Sequence, residues 1–198
     1  MDTTAPQIGI AIKQCTDFMS GVYREISALY VDLDEVLKEA NWASAWYSNL
    51  SFHTNSNAID QLHLRFPRTM GRVYARMPAS GLSRHAVVIE VHLSPSFGAD
   101  EAMIILAVVA MGSELAPGQI AELYRDNNYF MGTLLRAGEY TLRTAKALAP
   151  QERRGVFANA PDVHIVTWPL TEMTSRDAIS RTVVAQLSQL APVHAFQK

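Results

Sequence analysis

The segment HAVVIEVHL, residues 85–93, alternates the character of its side chains with a period of two. One face carries His85 and four aliphatic side chains, and the other face carries Glu90 and His92. Such alternation is typical of a half-buried β-strand. The segment MIILAVVAM, residues 103–111, is apolar at every position and predicts a central strand that is covered on both faces. These two segments predict the middle of a β-sheet.

Two earlier segments show the same alternation. Residues 59–66 are apolar at every second position from 62, and residues 71–77 are apolar at every second position from 73. The connecting residues 67–70 have the length of a hairpin turn. Residues 162–168 predict a further strand, which Pro169 ends. The sequence therefore predicts an antiparallel sheet of about five strands.

Apolar residues spaced three and four apart predict the helices. The longest pattern covers residues 6–40, with a helical tail to Tyr47 that leads into a loop. The same spacing predicts helices over residues 117–126 and up to Ala149, the latter with apolar positions from 130 to 148. A closing helix capped by Ser175 runs to Leu190.

The order of these elements predicts the fold class. A helix, four strands, helices, a strand and a helix favour an α+β fold over a doubly wound parallel fold. We expect C-terminal helices packed on the antiparallel sheet. A chain of 198 residues suits one domain, residues 1–198. Within it, 1–47 form the long helix and tail, 59–111 the strands, and 117–198 the helices with one further strand.

The first helix is longer than a small core needs. At 1.5 Å per residue it extends about 50 Å. Its apolar positions form a near-heptad repeat, which favours a homodimer through this helix. The alternative, packing of the whole helix against its own sheet, fits the sequence equally well.

Composition limits the class of protein. A single cysteine, Cys15, excludes an internal disulfide and a multi-cysteine metal cluster. The longest strongly apolar run has ten residues, whereas spanning a bilayer takes about 20. The N-terminus lacks the pattern of a signal peptide. We therefore expect a cytoplasmic protein without a membrane segment.

Charge is distributed unevenly along the chain. Residues 1–60 carry eight acidic and three basic side chains, whereas residues 61–89 carry five arginines and no acid. The chain has far more arginine than lysine, and the guanidinium group is suited to holding a carboxylate or a phosphate. The sequence therefore predicts a binding face for an acidic protein or a phosphorylated small molecule. The polar positions of the predicted strands supply its residues: Gln61, His63, Arg65, Arg72, Tyr74, Arg76, Glu90 and His92.

The positive charge also has an internal explanation. Glu90 could pair with Arg72 or lie beside Tyr74 across neighbouring strands. The acidic segment VDLDE, residues 31–35 of the long helix, could also lie across the arginines of the same chain or of a second copy. Either arrangement would neutralise the arginines without a ligand.

Signals for an enzyme or for nucleic-acid binding are weak. The chain lacks a Gly-rich phosphate loop and the zinc and serine hydrolase motifs. Glu90 and His92, with His63, could form an acid and base pair, which leaves a small hydrolase, a nuclease-like enzyme or an anion-binding sensor as the alternative function. Nucleic-acid binding is disfavoured because Tyr74 is the one candidate stacking ring on these strands and the sequence pI is about 6.3. No cofactor or metal is expected.

The sequence thus favours a non-enzymatic binding or regulatory module that engages an acidic or anionic partner through an Arg-rich sheet face.

Overall fold

The computed structural model describes residues 5–45, 51–53, 69–76, 81–93, 99–126, 142–153 and 159–191. The fold is α+β, as the sequence predicts. Three helical regions surround an antiparallel sheet. The helices are α1 (Ala5–Glu39), α2 (Pro117–Asp126), α3 (Arg176–Ile179) and α4 (Ala185–Leu190). A π-helical segment, Ser180–Val184, joins α3 to α4.

Seven strands form the sheet within the described ranges. They are β1 (Trp42–Ser44), β2 (Ser51–His53), β3 (Thr69–Arg76), β4 (Ser83–His92), β5 (Met103–Leu115), β6 (Lys146–Ala147) and β7 (Asp162–Pro169). Their order is β1-β3-β4-β5-β7-β6. The short strand β2 pairs with β3 along the same edge as β1. Every strand pair is antiparallel.

Alternation along the strands separates two apolar cores. One core lies between the sheet and the helices α1, α3 and α4, and includes Leu33, Ile89 and Leu106. The other lies between the opposite face and α2, and includes Val88, Ile105 and Tyr124. Residues 103–109 of β5 are buried on both faces, which confirms the prediction of a covered central strand.

The long helix α1 ends earlier than predicted. Asn41 adopts a left-handed conformation with φ of 64°, which asparagine tolerates better than most residues. The chain reverses there, and Trp42–Ser44 forms β1 against β3. The predicted helical tail to Tyr47 is therefore wrong over residues 41–45.

The C-terminal half of α1 packs on its own sheet, and ion pairs tie it to α3. Arg176 places its two terminal nitrogens 2.7 Å from Glu35 and 2.6 Å from Glu39. These exposed pairs contribute roughly 0–1 kcal/mol each, so the apolar core supplies most of the attachment. The Ser175 side chain accepts a hydrogen bond from the Ala178 amide and caps α3 as predicted.

The structure differs from two other predictions. Thr69 and Met70 begin β3 instead of forming a turn, while the strand predicted at residues 59–66 lies outside the described residues. The helix predicted up to Ala149 is wrong over residues 142–149. Leu142 forms a bridge to Thr167, Arg143 has a φ of 61°, and Lys146–Ala147 pairs with β7. Residues 130–141 of that prediction lie outside the described residues.

Among the helices within the described ranges, none has the length and apolar character needed to cross a bilayer.

Candidate functional site

The structure places the sequence-predicted site residues on opposite faces of the sheet. Gly71 pairs with Glu90, and Arg72 pairs with Ile89. Side chains alternate along a strand, so Arg72 points towards α1 while Glu90 points towards α2. The single polar face predicted for these residues is therefore wrong, and Glu90 pairs with neither of its two suggested neighbours, since Arg72 pairs with Ile89 and Tyr74 with Val87. Gln61, His63 and Arg65 lie outside the described residues.

The first polar cluster lies beneath α1. Arg72 is 6% exposed, and its Nη1 lies 2.7 Å from Asp34 Oδ2. Its Nε donates to Ser44 Oγ at 3.0 Å. Asp34 belongs to the acidic segment of α1, so this segment does lie over an arginine of its own chain. The side chain of Arg72 is therefore largely occupied by internal partners.

Two buried tyrosines complete this cluster. The Tyr30 hydroxyl lies 2.8 Å from the Met70 carbonyl oxygen and 3.1 Å from that of Ile89, which holds α1 against β3 and β4. Burial raises the pKa of Tyr30 and of Tyr74 well above the ordinary value, so both are neutral phenols at physiological pH.

The environment of Asp34 reflects a balance between burial and charge. Burial raises its pKa, and the attraction of Arg72 and contact with the Tyr74 hydroxyl oppose that rise. Among the described residues, Asp34 Oδ1 and the Tyr74 hydroxyl make no hydrogen bond of good geometry. Arg72 is therefore the main partner that the structure gives to the Asp34 carboxylate.

Arg76 lies further along β3. Its guanidinium carbon is 5.9 Å from the centre of the Trp42 ring, a cation–π contact, and its Nη1 donates to the Ala191 carbonyl at 3.4 Å. His85 lies close enough to Arg76 for the positive charge of Arg76 to affect the pKa of His85. Burial lowers the pKa of His85 below 6.5, and the positive charges of Arg76 and Arg84 lower it further.

This lowered pKa predicts a pH dependence of stability. The unfolded chain binds a proton on His85 near pH 6.5, whereas the folded chain binds it at lower pH. Stability present above pH 6.5 is therefore lost as the pH falls from 6.5 to the folded pKa. We expect His85→Gln to reduce the slope of unfolding free energy against pH in this window, by at most about 1.4 kcal/mol per pH unit. Urea unfolding at several pH values measures it, and parallel curves for the two proteins would contradict it.

The second polar cluster lies on the opposite face, where β3 begins and β4 ends. We call it the sheet-end cluster and define it as Thr69, Glu90, His92 and Tyr124. Glu90 is fully buried. Its Oε1 accepts a hydrogen bond from the Tyr124 hydroxyl at 2.9 Å, and its Oε2 lies 2.8 Å from His92 Nε2. The other ring nitrogen of His92, Nδ1, lies 3.3 Å from Thr69 Oγ1.

Gly71 makes room for this cluster. A Cβ atom at position 71 would collide with the Tyr124 hydroxyl and would meet Glu90 Cγ at 3.1 Å. Glycine in a strand often marks such a close approach. Burial raises the pKa of Tyr124 well above its ordinary value, and the negative charge of Glu90 raises it further, so Tyr124 remains a hydrogen-bond donor.

We expect Gly71→Ala to destabilise the fold by roughly 1–3 kcal/mol, because the new methyl group must displace a packed tyrosine. Tyr124→Phe removes the colliding oxygen. The cost of Gly71→Ala should therefore be smaller in the Tyr124→Phe background than in the natural chain. Denaturant unfolding of the four proteins measures this difference. Equal costs in both backgrounds would show that Tyr124 does not occupy the space above Gly71.

The N-terminal part of α1 projects beyond the sheet. Residues 7–20, which we call the projecting segment, are exposed except for the half-buried Met19. Ile8, Ile12 and Phe18 are 48%, 62% and 70% exposed. With 3.6 residues per turn, these three share one side of the helix with Cys15, and that side continues into the buried side of the C-terminal half.

A groove lies where α1 leaves the sheet. Ile26 and Leu29 of α1 line it together with Leu170 and Met173, which follow β7. Two acids of α1, Glu25 and Asp32, also line the groove. The apolar side of the projecting segment thus leads into an apolar groove with an acidic margin.

Sequence reasoning missed Thr69 and Tyr124 as site residues. Thr69 lies in the predicted turn, and Tyr124 lies in the helix predicted over residues 117–126, with no sequence signal that marks it as a site residue. The glycine opposite a buried glutamate is the signal that could have indicated a close contact there. Among the described residues, no group of three or more His, Cys, Asp and Glu side chains could hold a metal ion.

Comparison of the chain with protein-family models, curated proteins and solved structures found no match.

Proposed function

We propose that the protein is a binding or regulatory module that acts as a homodimer through the projecting segment of α1. The exposed apolar side of this segment carries the proposal. Its three large side chains follow the same helical side that packs on the sheet from Ile26 onwards. One amphipathic pattern thus covers the whole helix, but the sheet of the same chain covers only its C-terminal half.

A second copy is the partner that this surface fits best. The surface is apolar and belongs to one helix, so two copies related by a two-fold axis bury identical residues against each other. Its charged residues, Lys13 and Asp17, pair with each other on the other side of the helix. They therefore leave the apolar side free to pack. Cys15 lies near the middle of this side, close to the proposed axis.

The Arg-rich face takes a smaller part in this proposal than the sequence suggested. An anionic partner needs accessible guanidinium groups, whereas Arg72 is buried and paired with Asp34. Arg76 is half-buried beside Trp42. We therefore assign the partner contact to the projecting segment and treat Arg72 and Arg76 as structural residues.

The homodimer is tested by replacing residues of the apolar side. Ile12→Glu together with Phe18→Glu should give monomers, because each side chain contributes roughly 1.5–3 kcal/mol when fully buried. Loss of both weakens association by about 100-fold or more. Ile10→Glu is the matched control, since Ile10 is 59% exposed but lies on another side of the helix. Light scattering measures the mass. A natural chain that is monomeric, or a double variant that stays dimeric, would contradict the proposal.

The lone cysteine offers an independent prediction about geometry. A two-fold contact near Cys15 brings the two thiols together, so mild oxidation should give a covalent dimer at low protein concentration. The dimer should persist in 1 M salt. Salt at this concentration screens exposed ion pairs, but it does not weaken a contact between apolar side chains. Ile12→Glu with Phe18→Glu should abolish the cross-link. Cross-linking that is unchanged by these substitutions would place the contact elsewhere.

A further inference from the structure

We propose that Thr69, His92 and Glu90 form a catalytic relay in which the Thr69 hydroxyl attacks the carbonyl carbon of small carboxylic esters. The proposal goes beyond the homodimer and does not depend on it. It is carried by the order of the three groups: a hydroxyl, an imidazole and a carboxylate lie in one line of contacts.

The sheet fixes this order. Thr69 and His92 are direct partners across β3 and β4, and Glu90 follows two residues from His92 on the same face. The two nitrogens of the His92 ring therefore have different partners, Thr69 Oγ1 at 3.3 Å and Glu90 Oε2 at 2.8 Å. A carboxylate on one nitrogen fixes the ring and stabilises its charged form, while the other nitrogen can accept the hydroxyl proton.

Glu90 is itself held in place. The Tyr124 hydroxyl donates to its second oxygen, and Gly71 leaves the space for this contact. The carboxylate thus has a defined position and cannot rotate freely. Glu90 is a positioning residue in this proposal, because it acts through His92, whereas Thr69 and His92 are the catalytic residues.

The reaction proceeds in two steps. His92 Nδ1 takes the proton from Thr69 Oγ1 as this oxygen bonds to the carbonyl carbon, and the same proton passes to the departing alkoxide or phenoxide when the ester bond breaks. Thr69 then carries the acyl group as an ester. Water attacks this ester, gives a proton to His92, and releases a carboxylic acid as the proton returns to Thr69.

The surroundings indicate a small, uncharged substrate. Thr69 is 6% exposed and His92 is 4% exposed, so a substrate must be small to reach the Thr69 hydroxyl. Arg72 lies on the other face, and among the described residues the cluster contains a carboxylate and no guanidinium group. This charge disfavours phosphate esters and favours a neutral carbonyl compound.

The test uses the full chain and p-nitrophenyl acetate. We expect release of p-nitrophenol and, after rapid acid quenching, an acetyl group on Thr69 in peptide mass mapping. Thr69→Val should lower the rate by roughly 100-fold or more, and Thr69→Ser should retain it because it restores the hydroxyl. Ser83→Ala is the control, because the Ser83 hydroxyl is also buried but donates to a backbone carbonyl.

Glu90→Gln has a separate readout. Loss of the carboxylate removes the group that holds the His92 ring towards Thr69, so kcat should fall while KM stays nearly unchanged. A purely structural role would change the unfolding free energy and KM as well.

Two results would overturn the proposal. One is a natural chain that carries no acetyl group on Thr69 and reacts no faster than the same protein after unfolding. The other is a folded Thr69→Val variant with an unchanged rate. The mapping on the natural chain decides the question even if a variant does not fold.

Discussion

The apolar core supplies most of the attachment of α1 to the sheet, and the pairing of Arg72 with Asp34 constrains where along the helix that core forms. Arginine in a core is costly unless its charge is matched, and here a carboxylate from the helix lies 2.7 Å from the guanidinium group. The position of this pair along α1 fixes which part of the helix covers the sheet. Residues from Ile26 onwards pack on it, and the projecting segment extends beyond it. The same contact that removes Arg72 from the surface therefore leaves an apolar helix side exposed.

Periodicity was enough to predict most of the fold. Alternation located β3 and β4, a continuous apolar run located β5, and three- and four-residue spacing located α1 and the closing helices. It failed where one residue with a left-handed backbone changed the chain direction. Asn41 ends α1 before the predicted tail, and Arg143 lies in a segment whose apolar spacing resembled a helix. Such conformations depend on tertiary pairing with β3 and β7, which spacing along the sequence does not contain.

The candidate site was less predictable, because a sheet face is set by register. Moving the pairing by one residue transfers a side chain to the opposite face. The sequence predicts Arg72 and Glu90 on one face of the sheet, whereas the observed register places them on opposite faces, each beside a different apolar core. It identified Glu90 and His92 as neighbours on one strand face, and they do contact each other. The contacts of this pair with Thr69 and Tyr124 could not be predicted from the sequence pattern, because they depend on tertiary packing. Tyr124 belongs to a helix more than 30 residues from Glu90 along the chain.

A double-mutant cycle on Asp34 and Arg72 tests the central claim most directly. Asp34→Ala, Arg72→Ala and the double variant are compared with the natural chain by urea unfolding at low and high protein concentration. Because both residues belong to one chain, the account predicts a coupling free energy of about 1–3 kcal/mol that is the same at both concentrations. Additive effects within about 0.5 kcal/mol, or a coupling found only at high concentration, would show that this pair does not hold α1 on its own sheet.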